Sequence, residues 1–468
     1  MNRPLSVLAV SLSMLIGVTH AQDKPHVAYA QPTIAFTHAT LVDGTGAPAR
    51  RDQTLVIVRG KIAAIGASAR IRIPKDAVVI EARGKTLLPG LVMMHEHMFY
   101  PTGQRNYGEM VHSFPLLYLA GGTTTLRTAG TMVPYADLNM RKAIDDGRLV
   151  GPDMDVTAPY LNGPGLPILA VNALDSPEDA ERMVQYWADE GVTSYKAYMQ
   201  ISRAELARVI DVAHRRRHKV TAHLCSVTYA EAAQAGIDNL EHGFAAASDF
   251  VANKAPDACP SSAEVIRSLA DIDPASPRID ALIQQLIERK VALTSTLTVF
   301  ETFTPGRPQA PSAALELLNP QVRAQYEAGW TSVQGKPSDW TRLFPKLGQW
   351  EKRFVEAGGT LLAGTDPTGY GGVIPGFSGK REIELLVEAG FTFEQAIKIA
   401  TLNGARFLGR DDSIGSLAVG KRADVVVVEG DPVRDVTAMR RIPLVFKNGV
   451  GYQTDSIFRA LRHTVGLH

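Results

Sequence analysis

The stretch TLLPGLVMMHEH, residues 86–97, decides how the rest of the chain is read. An apolar run from Leu87 to Met94 reads as a strand, and it ends in His95-Glu96-His97. Positions i and i+2 of a strand point to one side, so both imidazoles can converge on one ion while Glu96 points away. A strand that delivers a histidine pair at its C-terminal end asks for more strands beside it.

Those strands follow. Beyond Leu87–Met93, strand signals fall at Thr123–Thr128, Met154–Pro159, Thr193–Tyr198, Val220–Cys225, Asp238–His242, Ala292–Thr298 and Thr360–Asp366. Helix signals sit between them. Ser176-Pro177 starts one helix with a cap and an N1 proline, and Gly191 stops it; Ser202/Glu205 and Thr392/Gln395 are capping boxes. The basic run Arg215–Lys219 reads as the solvated end of the helix opened by Ser202. This alternation fits an α/β (β/α)8 TIM-like barrel, in which catalytic groups emerge at the C-terminal ends of the strands.

Both ends of the chain read differently. TIAFTHATLVDGTG and TLVIVRGKIAAIG near the start, and ADVVVVEGD and PLVFKNGVGY near the end, are short strands closed by Gly turns. They suggest one small β-sandwich built from both termini. The expected organisation is a signal peptide at 1–21, sandwich at 22–88, barrel at 89–408, sandwich again at 409–455 and a tail at 456–468. The Pro- and aromatic-rich stretch 301–350 reads as a partial lid over the barrel mouth or as a peripheral packing insertion.

Composition narrows the function. The 468 residues carry 49 Lys+Arg against 48 Asp+Glu, a net charge of +1, which gives no reason to expect nucleic acid or an anionic membrane as partner. Two cysteines cannot form a disulfide framework, and whether Cys225 and Cys259 pair is open. Arg3, the apolar run Leu5–Val18 and Thr19-His20-Ala21 read as a secretory signal peptide, which places the protein in a periplasm or outside the cell, without membrane insertion after cleavage. Self-association is left open.

Four further residues stand at or near later strand ends: Lys196 in TSYKAY, His223 in VTAHLC, His242 in NLEHGF and Asp366 in LAGTDP. A lone strand histidine is usually a core residue. Two at i and i+2, joined by two more and an aspartate at barrel-mouth positions, point to a metal site instead. Neutral imidazole with carboxylate suits Zn2+, with Mn2+ or Co2+ tolerated.

With these motifs, together with GGTTTLR, AGTD and the closing GKRADVVVVEGDP, the chain resembles the amidohydrolase superfamily, in its binuclear imidazolonepropionase- and prolidase-like branch. The resemblance implies two divalent metal ions: one on His95, His97 and Asp366, the other on His223 and His242, bridged by Lys196 as a carbamate. It implies amide hydrolysis by a metal-bridging hydroxide, with Asp366 as the catalytic proton shuttle. A dipeptide, or an N-acyl or aryl-amide amino acid of the ochratoxin type, is the expected substrate, with cyclic amide hydrolysis as the alternative. Deaminases of the superfamily carry a glutamate where this chain has Ser226. A noncatalytic metal-holding, solute-binding protein is the reading outside enzymology.

Such substrates carry a carboxylate, which calls for a cation or hydrogen-bond donors. Arg127 is a candidate, with a structural ion pair as its alternative. Tyr198 would face the side of Lys196 and donate to an oxyanion or to substrate, or be a core tyrosine. Tyr160 and Asn162 are weaker substrate-binding candidates, and Cys225 lacks any motif for nucleophilic catalysis.

Overall fold

A computed structural model describes residues 25–103, 106–166, 168 and 171–467. The expected signal peptide, residues 1–21, lies outside the described residues. Among the described residues no helix is long and apolar enough to cross a membrane.

The two chain ends meet in one connected nine-stranded sheet. Thr33–Leu41 pairs antiparallel with Arg50–Val58 and parallel with Lys85–Pro89, and the latter pairs antiparallel with Val425–Glu429. Alternation along these strands feeds two cores. Leu87, Val425 and Val427 join Phe36, Ile57 and Phe446 in a small core, while Leu88, Val426 and Val428 join the main one. The strand expected at Leu87–Met93 is therefore two strands. Pro89 ends the first, and at Gly90 a Cβ would stand 2.1 Å from Thr124 Oγ1, so only glycine lets the chain pass into the second.

The second strand opens the parallel set: β1 (Leu91–Glu96), β2 (Thr123–Thr128), β3 (Asp153–Asp155), β4 (Ser194–Ala197), β5 (Lys219–Ala222), β6 (Asn239–Glu241), β7 (Ala292–Ser295) and β8 (Leu361–Ala363). Hydrogen bonding groups them as a three-stranded sheet, β1 to β3, and a five-stranded sheet, β4 to β8, rather than as one continuous ladder. Backbone bonds outside the named strands span the gaps. Isolated parallel bridges pair Thr157 with Ser194 and Leu161 with Ala197. On the other side, the N–H groups of Thr365 and Asp366 donate to the His95 carbonyl at 3.0 and 3.1 Å.

Several strands stop earlier than their apolar runs do. The seventh ends at Ser295, and Leu297–Thr302 turns helical, because the Glu382 carboxylate accepts from the N–H groups of Leu297 and Thr298 at the new helix start. The caps at Ser176, Ser202 and Thr392 form as their sequences require. In the basic run, Arg215 and Arg216 pair with Asp211 and Asp189 at the helix end, and Lys219 opens β5. The 301–350 stretch is no structureless lid: Pro320–Val333 and Trp340–Glu356 are helices, the second burying Leu343, Leu347 and Trp350. Across the expected boundary between sandwich and tail, Thr454–Ala460 is a helix that buries Ile457.

Candidate active site

His95 stands next to the end of β1 and is 1% exposed. Its backbone accepts from Thr365 and Asp366, which requires β8 to pass close by. A Cβ on Gly364 would lie 2.3 Å from the His95 Cβ, and this explains the glycine of the AGTD element. His95 Nδ1 donates to Glu241 Oε2 at 2.7 Å and His97 Nδ1 to the Gly130 carbonyl at 3.1 Å. Each bond fixes a tautomer whose bare Nε2 looks inward. Those two Nε2 atoms stand 3.7 and 3.3 Å from Asp366 Oδ1. Glu96 points away, as expected of the middle residue, and accepts from the Thr365 hydroxyl at 2.6 Å.

His242 shows how the backbone builds the site. Alternation would turn Glu241 and His242 to opposite faces. His242 adopts a left-handed φ of 71°, and both neighbours reach the cluster. Its Nδ1 is tied to Thr296 Oγ1 at 2.8 Å. Asp366 is also left-handed, at φ 52°. For residues other than glycine this costs about 1–3 kcal/mol each, strain that concentrates at functional sites.

His95, His242 and Asp366 offer ligand atoms all within 4.8 Å of one another. The His95 and His242 rings are 4.6 Å apart, and His242 lies 4.4 Å from His223. All four histidines, Lys196 and Asp366 line one cavity of about 200 Å3. Lys196, 1% exposed, stands 3.6 Å from Glu241.

Charge within the cavity follows from burial. Burial, then the Lys196 charge, lowers His95 to about 4 and His223 to about 3, and burial with the neighbouring His223 holds His242 well below the usual range as well. Burial brings Lys196 down to about 8, with Arg127 adding to the fall against Glu241. Burial alone would raise the Asp366 carboxyl, but His95 and His97 outweigh it and hold it well below the usual range. The result is neutral imidazoles at His95, His223 and His242, an amine that loses its proton far more readily than an exposed lysine, and an ionised carboxylate: a donor set that suits Zn2+, Mn2+ or Co2+.

The other sequence candidates separate cleanly. Tyr198 and Tyr160 line the cavity, their rings 4.8 Å apart and Tyr198 against His223 at 5.1 Å. Arg127 does not. It is sealed in the core, donating to Glu241 at 2.8 Å, Thr221 Oγ1 at 2.6 Å and the Met94 carbonyl at 2.6 Å, so it is the structural ion pair and not a substrate ligand. Asn162 is likewise spent on structure: it accepts from the Gln200 N–H at 2.9 Å and donates to the Gly163 carbonyl at 2.7 Å. Cys225 is bonded to Cys259, which settles their pairing and removes a free thiol.

Sequence reading missed Glu241, which lies under His95, Lys196 and Arg127 at once. A lone acid and a lone cation inside apolar strands, in NLEH and TTLRT, are the signal that pairs it with Arg127. Of the aromatic stretch expected as a lid, Phe303 does reach the cavity rim, but the rest of the aromatic wall lies outside 301–350 and was missed: Phe99 stacks on His97 at 4.4 Å, Phe300 lies 5.5 Å from His242, and Tyr107 joins the rim.

Parallel strands that end in a buried ring of imidazoles, one amine and one carboxylate are hydrolase architecture. The model of the amidohydrolase family matches residues 86–255 and 352–451, more than half of the chain. The chain belongs to the amidohydrolase family. A structure provisionally called a prolidase, from Bifidobacterium longum, is 26% identical over 92% of this chain and 98% of its own, with a TM-score of 0.67. The A. niger ochratoxinase superposes with a TM-score of 0.63 at 21% identity, over 89% of this chain and 94% of its own, which speaks for the fold. An imidazolonepropionase from Bacteroides fragilis is 58% identical over 40 residues, 8% of this chain and only 10% of that relative's length.

Proposed function

We propose that the protein is a secreted or periplasmic two-metal amidohydrolase that cleaves dipeptides or N-acyl and aryl-amide amino acids. The observation that carries this reading is the meeting of His95, His97, Lys196, His223, His242 and Asp366 at one aromatic-walled cavity. The eight parallel strands are read as a (β/α)8 barrel, supported by the bonds from Thr365 and Asp366 to His95 and by the Thr157–Ser194 bridge.

His95, His97 and Asp366 would hold one ion and His223 and His242 the other, with Lys196 as a carbamate between them. Divalent ions held there would polarise an amide carbonyl and bring the pKa of water from ~15.7 towards ~7. Asp366, kept ionised beside His97, accepts the proton of the attacking water and delivers it to the leaving nitrogen. The Tyr198 hydroxyl donates to the developing oxyanion. Phe99, Phe300 and Phe303 exclude water and hold an apolar or aryl group. With Arg127 sealed away, a substrate carboxylate is met by the hydroxyls of Tyr107, Tyr160 and Thr368. The Cys225–Cys259 disulfide supports an oxidising compartment, as the leader expected at 1–21 does.

The test is a substrate panel on the purified metal-loaded protein: prolyl dipeptides, N-acyl amino acids, phenylalanine aryl amides and an imidazolone. Two ions per chain and turnover of a linear amide, abolished by chelator and restored by zinc or manganese, are expected. Turnover of the imidazolone alone would make it a cyclic amide hydrolase, and one ion without turnover would make it a binder. Sequencing the exported protein should find Gln22 at its start.

A further inference from the structure

Two cavities away from the candidate active site share a wall. The first, about 540 Å3, opens beside the helix Thr454–Ala460. The second, about 460 Å3, lies behind the helix Leu297–Thr302, whose Val299 and Phe300 face the active-site cavity while Thr298, Glu301 and Thr302 face this one. Ala313, Phe377, Lys380 and Arg440 line both.

Lys380 is the unusual member. Three Lys and Arg side chains among the described residues are buried: Arg127, Lys196 and Lys380. The first two face Glu241, at 2.8 and 3.6 Å. Lys380, 4% exposed, has no hydrogen bond and no carboxylate within 4 Å among the described residues, and its Nζ rests over the rings of Phe377 at 4.6 Å and Phe458 at 5.3 Å. Ring faces return only part of the hydration that a buried ammonium loses. Its pKa falls to about 8, from burial first.

The two chambers differ in chemistry. Arg459 lines the first and has no carboxylate within 4 Å among the described residues, its Nε reaching the Asp455 carbonyl at 3.3 Å; of the acids on the same wall, Glu316 is paired with Arg462 at 3.4 Å and Glu429 with Lys85 at 2.8 Å, and Asp455 is the third. Pro311, Ala314, Tyr326, Trp330 and Val373 give the second chamber an apolar stretch, while the charges on its wall, Glu301, Arg381, Glu384 and Arg440, are paired with one another at 2.6–2.7 Å. An anion beside Lys380 would regain the lost pairing, and a chain attached to it would find dry surface across the wall.

We propose that these two cavities form one binding site for a carboxylate carrying an unbranched apolar chain, the carboxylate at Lys380 and Arg459 and the chain beneath Trp330. The site is separate from the candidate active site and does not depend on the hydrolytic reading.

Calorimetry on the full, metal-loaded protein with dodecanoate, dodecanol and acetate, all below any micelle threshold, tests it. Dodecanoate is expected to bind at least tenfold more tightly than either control and to quench tryptophan emission, the quench vanishing in Trp330→Phe. Lys380→Met should erase the margin over dodecanol and leave amide turnover unchanged. Equal binding of dodecanoate and dodecanol by the unaltered protein, or undiminished dodecanoate binding by Lys380→Met, would overturn the proposal. Should Lys380→Met not fold, Trp330→Ala decides: it should weaken dodecanoate and not acetate, and unchanged dodecanoate affinity defeats the site.

Discussion

His95 donates through Nδ1 to Glu241 at 2.7 Å and turns Nε2 towards Asp366 at 3.7 Å, so one carboxylate orients the imidazole and another faces its lone pair. Glu241 also neutralises Arg127 and stands beside Lys196, which makes it the charge on which the floor of the cavity rests. Glu241→Gln should therefore lower zinc affinity by about 10–100-fold. It should also destabilise the fold by about 3–5 kcal/mol, because Arg127 is left buried without its counter-charge. Metal titration and chemical denaturation measure the two effects separately.

Asp366→Asn keeps the size of the side chain and removes its basicity. Turnover should fall by about 10²–10⁴-fold, with most of the melting temperature retained. Steady-state kinetics alongside thermal unfolding would refute the shuttle if the rate is unchanged.

Lys196 is brought to about 8 by burial, within reach of the neutral amine that carbon dioxide requires. Lys196→Ala should lose activity and regain part of it with added short carboxylic acids. Full activity without rescue would dismiss the carbamate.

Asp153 on β3 holds Lys447 at 2.7 Å and Arg422 at 2.5 Å, both from the C-terminal part of the chain. Burial pushes its carboxyl up, but these two cations override it and hold it well below the usual range. A depressed carboxylate stabilises the fold above its unfolded value of ~3.9 and loses that contribution as pH falls through the folded value. Asp153→Asn should cost about 1.5–3 kcal/mol at pH 7, and the gap to the unaltered protein should narrow below about pH 4. Urea melts across that range give the comparison.

Cys225 lies two residues beyond His223, and its bond to Cys259 closes a loop over a sequence separation of 34. Cys259→Ser should cost about 2–4 kcal/mol of stability. A matching loss in the reduced unaltered protein would locate the effect in the bond and not in the serine.

Much of this was legible before any coordinates. The alternating signals placed all eight parallel strands, and the six candidate ligands do share a cavity, because strand ends of one hand must deliver their side chains to one mouth. What failed did so for local reasons. Pro89-Gly90 splits an apolar run that hydropathy reads as continuous. Strand spacing hides Glu241, since a positive φ at the next residue suspends the alternation on which such spacing depends. Arg127 at a strand end looked open to substrate, and only its partners on β1, β5 and β6 show that it is enclosed. Pro and aromatic content made 301–350 look like loop, although Pro320 opens a helix and Pro345 sits within one.

Leu87 and Leu88 send neighbouring side chains into different cores, as do Val425 through Val428 opposite them. The strand pair is thus a party wall. A pared-down enzyme trimmed to the segment between the terminal strands would strip this partition away, leave a greasy stripe facing water and invite aggregation, so the flanking sheet is inherited with the catalytic machinery and cannot be shed by gene truncation.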